Sequence, residues 1–266
     1  MSDKVALVTG ASAGIGRACA ERLARSGWTV VGASRRGSSG SGWRGLMMDV
    51  DDDTSVSQGV SGILGDYGRL DALVACAGWG LAGAAEHTPV AEAKAQFETN
   101  FWGAVRVTND ALPIFRHQGH GRIVLMSSIG GLLGIPFQSF YAASKFALEG
   151  FGESLAYEVA PFGVHVTLVE PGNVKTDFTQ SRRKVEVAPD DAYESVRIRA
   201  IEVMERDEAN GANPTAVARV VERVLSDAHP PRRVSVGKWD ERIGLLAKRL
   251  LPFGVFERAA KGPLGV

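Results

Sequence analysis

The chain has 266 residues, 30 basic and 30 acidic side chains, and a formal net charge of zero. That length suits one α/β domain, and a hydrophobic fraction of 45% is ample for a core. With no basic excess to neutralise phosphates, a nucleic-acid partner is excluded, and Arg182-Arg183-Lys184 reads as a solvated lid or turn. In chain order, residues 5–9 read as a buried strand and 14–26 as a helix. Residues 28–34 read as a second strand, 45–50 as a third and 70–77 as a fourth, the last bounded by Gly68 and Gly78. A glycine- and serine-rich connection at 37–42 follows the second strand. A helix is expected over 89–116, broken or kinked near Pro113. Residues 122–128 make a fifth strand, 139–160 a long helix ended by Pro161 and Gly163, and 164–170 a sixth strand stopped by Pro171-Gly172. A final strand is expected at 233–236.

Continuous apolar strands separated by helices indicate a parallel sheet covered on both faces. The expected fold is therefore α/β and doubly wound: one domain over 1–266, three layers, and a mostly parallel sheet of about seven strands. Ligands should bind at the carboxyl ends of the strands. Two stretches depart from the alternation. Residues 175–212 are highly charged, lack a strand signal, and read as a mobile helical flap over a site. Residues 239–266 form a C-terminal extension mixing basic groups with Ile243, Leu245, Leu246, Leu250, Leu251, Phe253 and Phe256. That extension packs on the domain or a second subunit, covers a greasy substrate, or touches a membrane surface, with packing the leading expectation.

Cys19 and Cys76 are the only cysteines, too few for a disulfide framework. The chain runs directly into a strand pattern without a leader signature, and no apolar run reaches the roughly 18 residues of a membrane span. A reducing, cytoplasmic compartment is expected. His117 and His120 are flanked by Gly119 and Gly121 with no cysteine or acidic partner following, so no metal site is expected.

Thr9-Gly10-Ala11-Ser12-Ala13-Gly14-Ile15-Gly16 sits between the first strand and the first helix. Gly10 permits a tight turn, Gly14 lets backbone approach a pyrophosphate, and Gly16 lets helix and sheet pack closely. The helix start then offers free N–H donors and a positive dipole end to phosphates. At the end of the second strand, where an acidic residue would bind a ribose diol, the chain reads Ser34-Arg35-Arg36. A guanidinium can hold a 2′-phosphate through charge-assisted bonds, which favours NADP(H) over NAD(H), with Arg35 ahead of Arg36. Asp49 is placed either to accept from an adenine amino group or to cap a helix.

Tyr141 and Lys145 lie four residues apart, on one face of the long helix. An ammonium so close favours the phenolate and lowers a phenol from its usual pKa of about 10, which would make Tyr141 an acid/base near neutral pH.

Taken together, the chain resembles the short-chain dehydrogenase/reductase family, in its Rossmann-fold branch of about 250 residues. The resemblance runs from Lys4 to about Thr176 and rests on Thr9-Gly10-x-x-x-Gly14-Ile15-Gly16, Asp49-Val50, Ala77-Gly78, Asn100, Ser128, Tyr141-x-x-x-Lys145 and Pro171-Gly172. The stretch Phe140 to Phe151 looks most like steroid- and retinol-dehydrogenase-like members. The resemblance implies that Tyr141 is the acid/base and that Lys145 lowers its pKa and holds the nicotinamide ribose. It implies that Ser128 polarises the substrate carbonyl and that Asn100 holds a water in a proton relay. Ser127 points to the opposite face, so only one of the two serines can serve. Phosphate contacts fall on Ser12, Ile15 and the glycines, and further cofactor contacts on Asp49, Val50, Ala77 and Gly78. Pro171, Gly172, Val174 and Thr176 lie along the carboxamide. One position departs from the family: Cys76-Ala77-Gly78 stands where Asn-Ala-Gly is usual, and a weak donor there implies a looser sheet end or an altered cofactor fit.

The implied reaction is reversible hydride transfer between NADP(H) and a carbonyl or secondary alcohol. Trp79, Leu132, Leu133, Ile135, Pro136, Phe137 and Phe178 suit a lipophilic substrate. A homodimer or homotetramer through the helices at 89–116 and 139–160 is expected. A nicotinamide-binding regulator without turnover is the rival reading, with an epimerase or dehydratase behind it. The complete set of Asn100, Ser128, Tyr141 and Lys145 disfavours the regulator.

Overall fold

The protein was analysed as a computed structural model that describes residues 4–185, 191–263 and 266. Residues 186–190 of the expected flap and 264–265 of the C-terminal extension lie outside the described residues. Along the chain, β1 (Val5–Thr9) leads through the glycine turn into α1 (Gly14–Arg25), followed by β2 (Thr29–Ser34), β3 (Arg44–Met47), α2 (Asp53–Tyr67) and β4 (Ala72–Ala75). Then come β5 (Leu81–Ala82), α3 (Val90–Phe97), a π-helical segment Glu98–Gly103, α4 (Ala104–Gln118) and β6 (Gly121–Met126). After these follow α5 (Ser139–Val159), β7 (Val164–Pro171), α6 (Phe178–Ser181), β8 (Arg183–Lys184) and α7 (Glu194–Ala209). The chain closes with α8 (Pro214–Ser226), β9 (Arg233–Val236), α9 (Trp239–Leu250) and α10 (Phe253–Lys261).

Seven strands form one parallel sheet in the order β3-β2-β1-β4-β6-β7-β9. The period-two alternation of each strand splits its side chains between two cores. Leu7, Leu73, Ile123, Leu125, Val166 and Leu168 pack with α2, α4 and α5 on one face. Ala6, Val8, Val74, Val124 and Val169 pack on the other with Cys19 and Leu23 of α1 and Val217 and Val221 of α8. Strand order reverses between β1 and β4, and a crevice opens above their carboxyl ends, where such folds bind ligands.

Four features differ from the sequence reading, one being helix α8, which fills the stretch between the expected flap and the last strand where no element was expected. Helix α2 was hidden by Gly59, Gly62 and Gly65, which depress helix propensity. At Gly59 a Cβ would meet the Met48 sulfur at 2.7 Å, so a larger residue there would make that side chain shift. The stretch read as strandless contains β8, which pairs with β5 over two residues, too short for any periodic signal. The expected break at Pro113 is absent: α4 continues through it to Gln118. The departure from α geometry comes earlier, in the widened π turn around Asn100. Such single-turn π segments insert one extra residue and re-aim the side chains beside it.

Candidate active site

The turn after β1 is built for close backbone approach. A Cβ on Gly10 (φ +67°) would sit 2.9 Å from the Ala77 backbone, and one on Gly16 would sit 2.4 Å from the Gly10 carbonyl oxygen. The Thr9 hydroxyl accepts the N–H groups of Cys76 and Ala77, each at 3.1 Å, joining the carboxyl ends of β1 and β4. The backbone at Cys76 is thereby anchored even though the side chain is a thiol. That thiol meets Cys19, whose own thiol is pushed up by hydrogen bonding to Cys76 and by burial. The first turn of α1 carries neither a side-chain cap nor an acidic residue. Its N–H donors and positive dipole end are therefore available to an anion, and Gly14 leaves a cradle facing Thr176 that a Cβ would narrow. These features fit a dinucleotide pyrophosphate.

A cleft of about 950 Å³ runs from this turn across the sheet. Gly10, Ser12, Gly14, Ile15 and Gly16 line one end, with Arg35 and Arg36 exposed at its rim and Asp49 and Val50 beside them. Asp49 accepts the Asp51 N–H at 3.1 Å, while the helix is capped by Asp52, which accepts from the Ser55 N–H at 2.6 Å. Ala77 and Gly78 extend the floor, and Pro171, Gly172, Val174 and Thr176 form the far wall. Behind that wall Glu241 of α9 accepts the Asn173 N–H at 2.8 Å, a tie that no local sequence signal shows.

Ser128, Tyr141 and Lys145 share one wall of the cleft. Ser128 follows β6, accepts the Gly130 N–H at 3.0 Å and is hydrogen-bonded to the Tyr141 phenol. Ser127 instead faces the backbone of Gly131, where a Cβ would lie 2.7 Å from its hydroxyl. Lys145 is buried; its ammonium donates to the Met126 carbonyl at 2.8 Å and lies 5.9 Å from the centre of the Tyr141 ring. Burial lowers Lys145 to about 8, opposed by Cys76 and Glu149. The Tyr141 phenol is raised above its usual value, first by burial, with the Ser128 bond opposing. The lowering expected from Lys145 is not seen: burial dominates, Glu208 adds to it, and Ser128 and Arg182, not Lys145, oppose it.

Asn100 lies behind the cleft wall and does not line it. Its side-chain oxygen accepts the Trp79 N–H at 2.9 Å, and its amide donates to the Trp79 carbonyl at 3.0 Å and the Ser144 hydroxyl at 3.3 Å. The π turn thus aims Asn100 as a clamp on the peptide that follows Gly78.

Of the apolar residues expected around a substrate, Trp79, Leu133, Ile135, Pro136 and Phe178 line the cleft, whereas Leu132 and Phe137 do not. Phe137 turns away to meet Tyr193 edge-on at 6.5 Å. Phe178 stands edge-on to Tyr141 at 5.8 Å. Its segment is tied to α7 by Glu208, which pairs with Arg182 and accepts from Thr179 at 2.6 Å. Ala200, Val203, Met204 and Asp207 of α7 also line the cleft. The sequence reading missed them, although their i, i+3, i+4, i+7 spacing on a charged helix was the available signal.

The family model described as short chain dehydrogenase matches residues 4–187. A 3-ketodihydrosphingosine reductase of Bacteroides thetaiotaomicron is 38% identical over 263 residues, 98% of each chain. Bovine retinol dehydrogenase 8 is 36% identical over 258 residues, 87% of this chain and 81% of that one. A solved short-chain dehydrogenase from Streptomyces avermitilis superposes with a TM-score of 0.84 at 34% identity, covering 98% of both chains.

Proposed function

Because the chain belongs to the short-chain dehydrogenase family, we propose that it transfers hydride between NADP(H) and the carbonyl or secondary alcohol of a lipophilic substrate, with Tyr141 as acid/base. Membership makes it an oxidoreductase with a nicotinamide-binding fold. The observation that carries the finer reading is the convergence of Ser128, Tyr141 and Lys145 on one cleft wall beside the glycine turn.

The nicotinamide, when bound, supplies or accepts the hydride. The hydroxyls of Ser128 and Tyr141 hold the substrate oxygen and stabilise charge developing on it. A phenol held above its ordinary pKa stays protonated at neutral pH and so suits a proton donor in the reducing direction. Lys145 spends one donor on the Met126 carbonyl and keeps others for a ribose hydroxyl. Asn100 fixes the peptide after Gly78, where the wall must keep its shape. Arg35 and Arg36 at the rim, with no carboxylate ending β2, support NADP(H).

Trp79, Leu133, Ile135, Phe178 and Met204 support a lipophilic substrate. The relatives named for 3-ketodihydrosphingosine and retinol support the same reading. Exposed Trp102 of the π-helical segment and Tyr157 of α5 support association of copies as a dimer or tetramer. Among the described residues no helix is long and apolar enough to cross a membrane, and we read a cytoplasmic enzyme.

The test is NADPH oxidation against a panel of long-chain ketones and aldehydes. Turnover by the wild type and its loss in Tyr141→Phe are expected. Tight NADPH binding with no turnover anywhere in the panel would instead support a regulator.

A further inference from the structure

Helix α9 turns its apolar stripe outward. Trp239, Ile243, Leu246 and Leu250 recur at i, i+4, i+7 and i+11, on one face, and are 75%, 53%, 55% and 70% exposed. The neighbouring α10 presents Phe253 and Val255 at 75% and 51% exposure. Neither helix contributes a buried residue. The attachments of α9 to the domain are polar: Glu241 holds the Asn173 N–H, and Lys248 donates to the Leu132 carbonyl and lies 5.3 Å over the Phe146 ring. The inward side mixes Glu241 and Lys248 with Leu245 and Ala247, so the larger apolar stripe is the one left facing outward, unlike an ordinary surface helix.

Charge accompanies the stripe. Arg242 and Arg249 share its exposed face, and Arg258 and Lys261 stand in the last turn of α10. In a chain of zero net charge, residues 239–261 hold five basic and three acidic groups, an excess of two. Glu241 and Lys248 are engaged by the domain and Lys261 pairs with Glu257 at 3.6 Å, which leaves Arg242, Arg249 and Arg258 against Asp240.

We propose that α9 and α10 seat the protein on an anionic phospholipid bilayer, with the apolar stripe at the acyl boundary and the arginines at the headgroup phosphates. A second copy is the poorer occupant. A two-fold contact sets a patch against itself and would bring arginines against arginines, whereas lipid phosphates complement them. Spanning is ruled out by length, since the 12 residues of α9 reach about 18 Å against a hydrocarbon core of about 30 Å. Pro263, just beyond α10, lines the cleft, so docking brings the cleft next to the lipid. That last link rests on the lipophilic-substrate reading; the docking itself does not.

Flotation of the full-length protein with vesicles of phosphatidylglycerol and phosphatidylcholine in equal parts, against phosphatidylcholine alone, tests the proposal without any activity measurement. The wild type is expected to float with the anionic vesicles. Leu246→Glu/Leu250→Glu should lower recovery by at least about tenfold, as should Arg242→Gln/Arg249→Gln or high salt. The arginine variant alters no apolar contact, so it decides the matter if the glutamate pair compromises folding. Absence of wild-type flotation, or wild-type recovery by the arginine variant, overturns the proposal. So does a solution dimer that fails to float and dissociates in Leu246→Glu/Leu250→Glu, which would assign the stripe to contact between copies.

Discussion

Lys145 donates to the Met126 carbonyl at 2.8 Å, while the Tyr141 ring one helical turn back lies 5.9 Å from its ammonium. The lysine is held by the end of β6, and its ammonium lies beside the tyrosine ring without a hydrogen bond to the phenol among the described contacts. Its charge is buried beside the cleft, with consequences for stability as well as for chemistry.

Burial lowers Lys145 to about 8 from an ordinary value of 10.5, so the folded protein releases this proton before the unfolded chain does. Between those values the unfolded state binds more protons, and the Lys145 contribution to stability rises with pH by about 3 kcal/mol in all. Denaturation of the wild type and Lys145→Met at about pH 7.5 and about pH 10 should show the wild type gaining about 2 kcal/mol relative to the variant. An equal pH response in both proteins would mean that the ammonium is solvated.

Tyr141→Phe keeps the ring that Phe178 packs against and removes only the hydroxyl bonded to Ser128. Turnover is expected to fall by about 10²–10⁴-fold, the usual worth of a positioned acid/base, while NADPH affinity stays unchanged by titration. Retention of full turnover would assign the proton to another group.

Arg233 serves two buried carboxylates, lying 3.0 Å from Glu149 and 3.7 Å from Glu170. Arg233→Met removes the cation from both, leaving Glu170 only the Ser235 hydroxyl, and should cost about 3 kcal/mol in chemical denaturation, the low end for such pairs because the arginine is partly exposed. Burial already raises the Glu170 carboxyl. A raised carboxyl favours the fold at low pH and loses that contribution as pH rises through its folded value. The variant's deficit should therefore be larger at about pH 8 than at about pH 5.

Arg35→Asp replaces a rim guanidinium with a carboxylate. NADPH is expected to weaken by about 10–100-fold, the worth of a charge-assisted bond, with NADH affected far less. Equal losses measured for the two cofactors would remove the 2′-phosphate assignment.

Gly16→Ala places a Cβ 2.4 Å from the Gly10 carbonyl oxygen, within backbone that cannot yield. A stability loss of about 1–3 kcal/mol is expected together with weaker NADPH binding. Unchanged binding would show that the turn is not the phosphate cradle.

The legible part of this protein is the part written in short-range spacing. The apolar runs of β1, β6 and β7, the glycine turn and the Tyr141–Lys145 pair could be read because period-two strands and i, i+4 helix faces are local geometry. Helix α2 was lost to its glycines, and β5 with β8 to their brevity. Of the site, the glycines, Ser128, Tyr141 and Lys145 are legible in local spacing, and the α7 face carries a helical spacing too; that this face closes the cleft, and that Thr9 ties Cys76 and Ala77, is not legible because those partners lie far along the chain.

By itself the sequence determined the doubly wound order and which side chains stand on one helix face, both consequences of backbone periodicity. Tertiary structure alone decided the environment of those side chains. It raised the Tyr141 phenol by burying it, turned Asn100 into a clamp on Trp79, and set the apolar stripe of α9 against solvent. Burial, desolvation and long-range pairing depend on what packs around a residue, and no spacing along the chain records that.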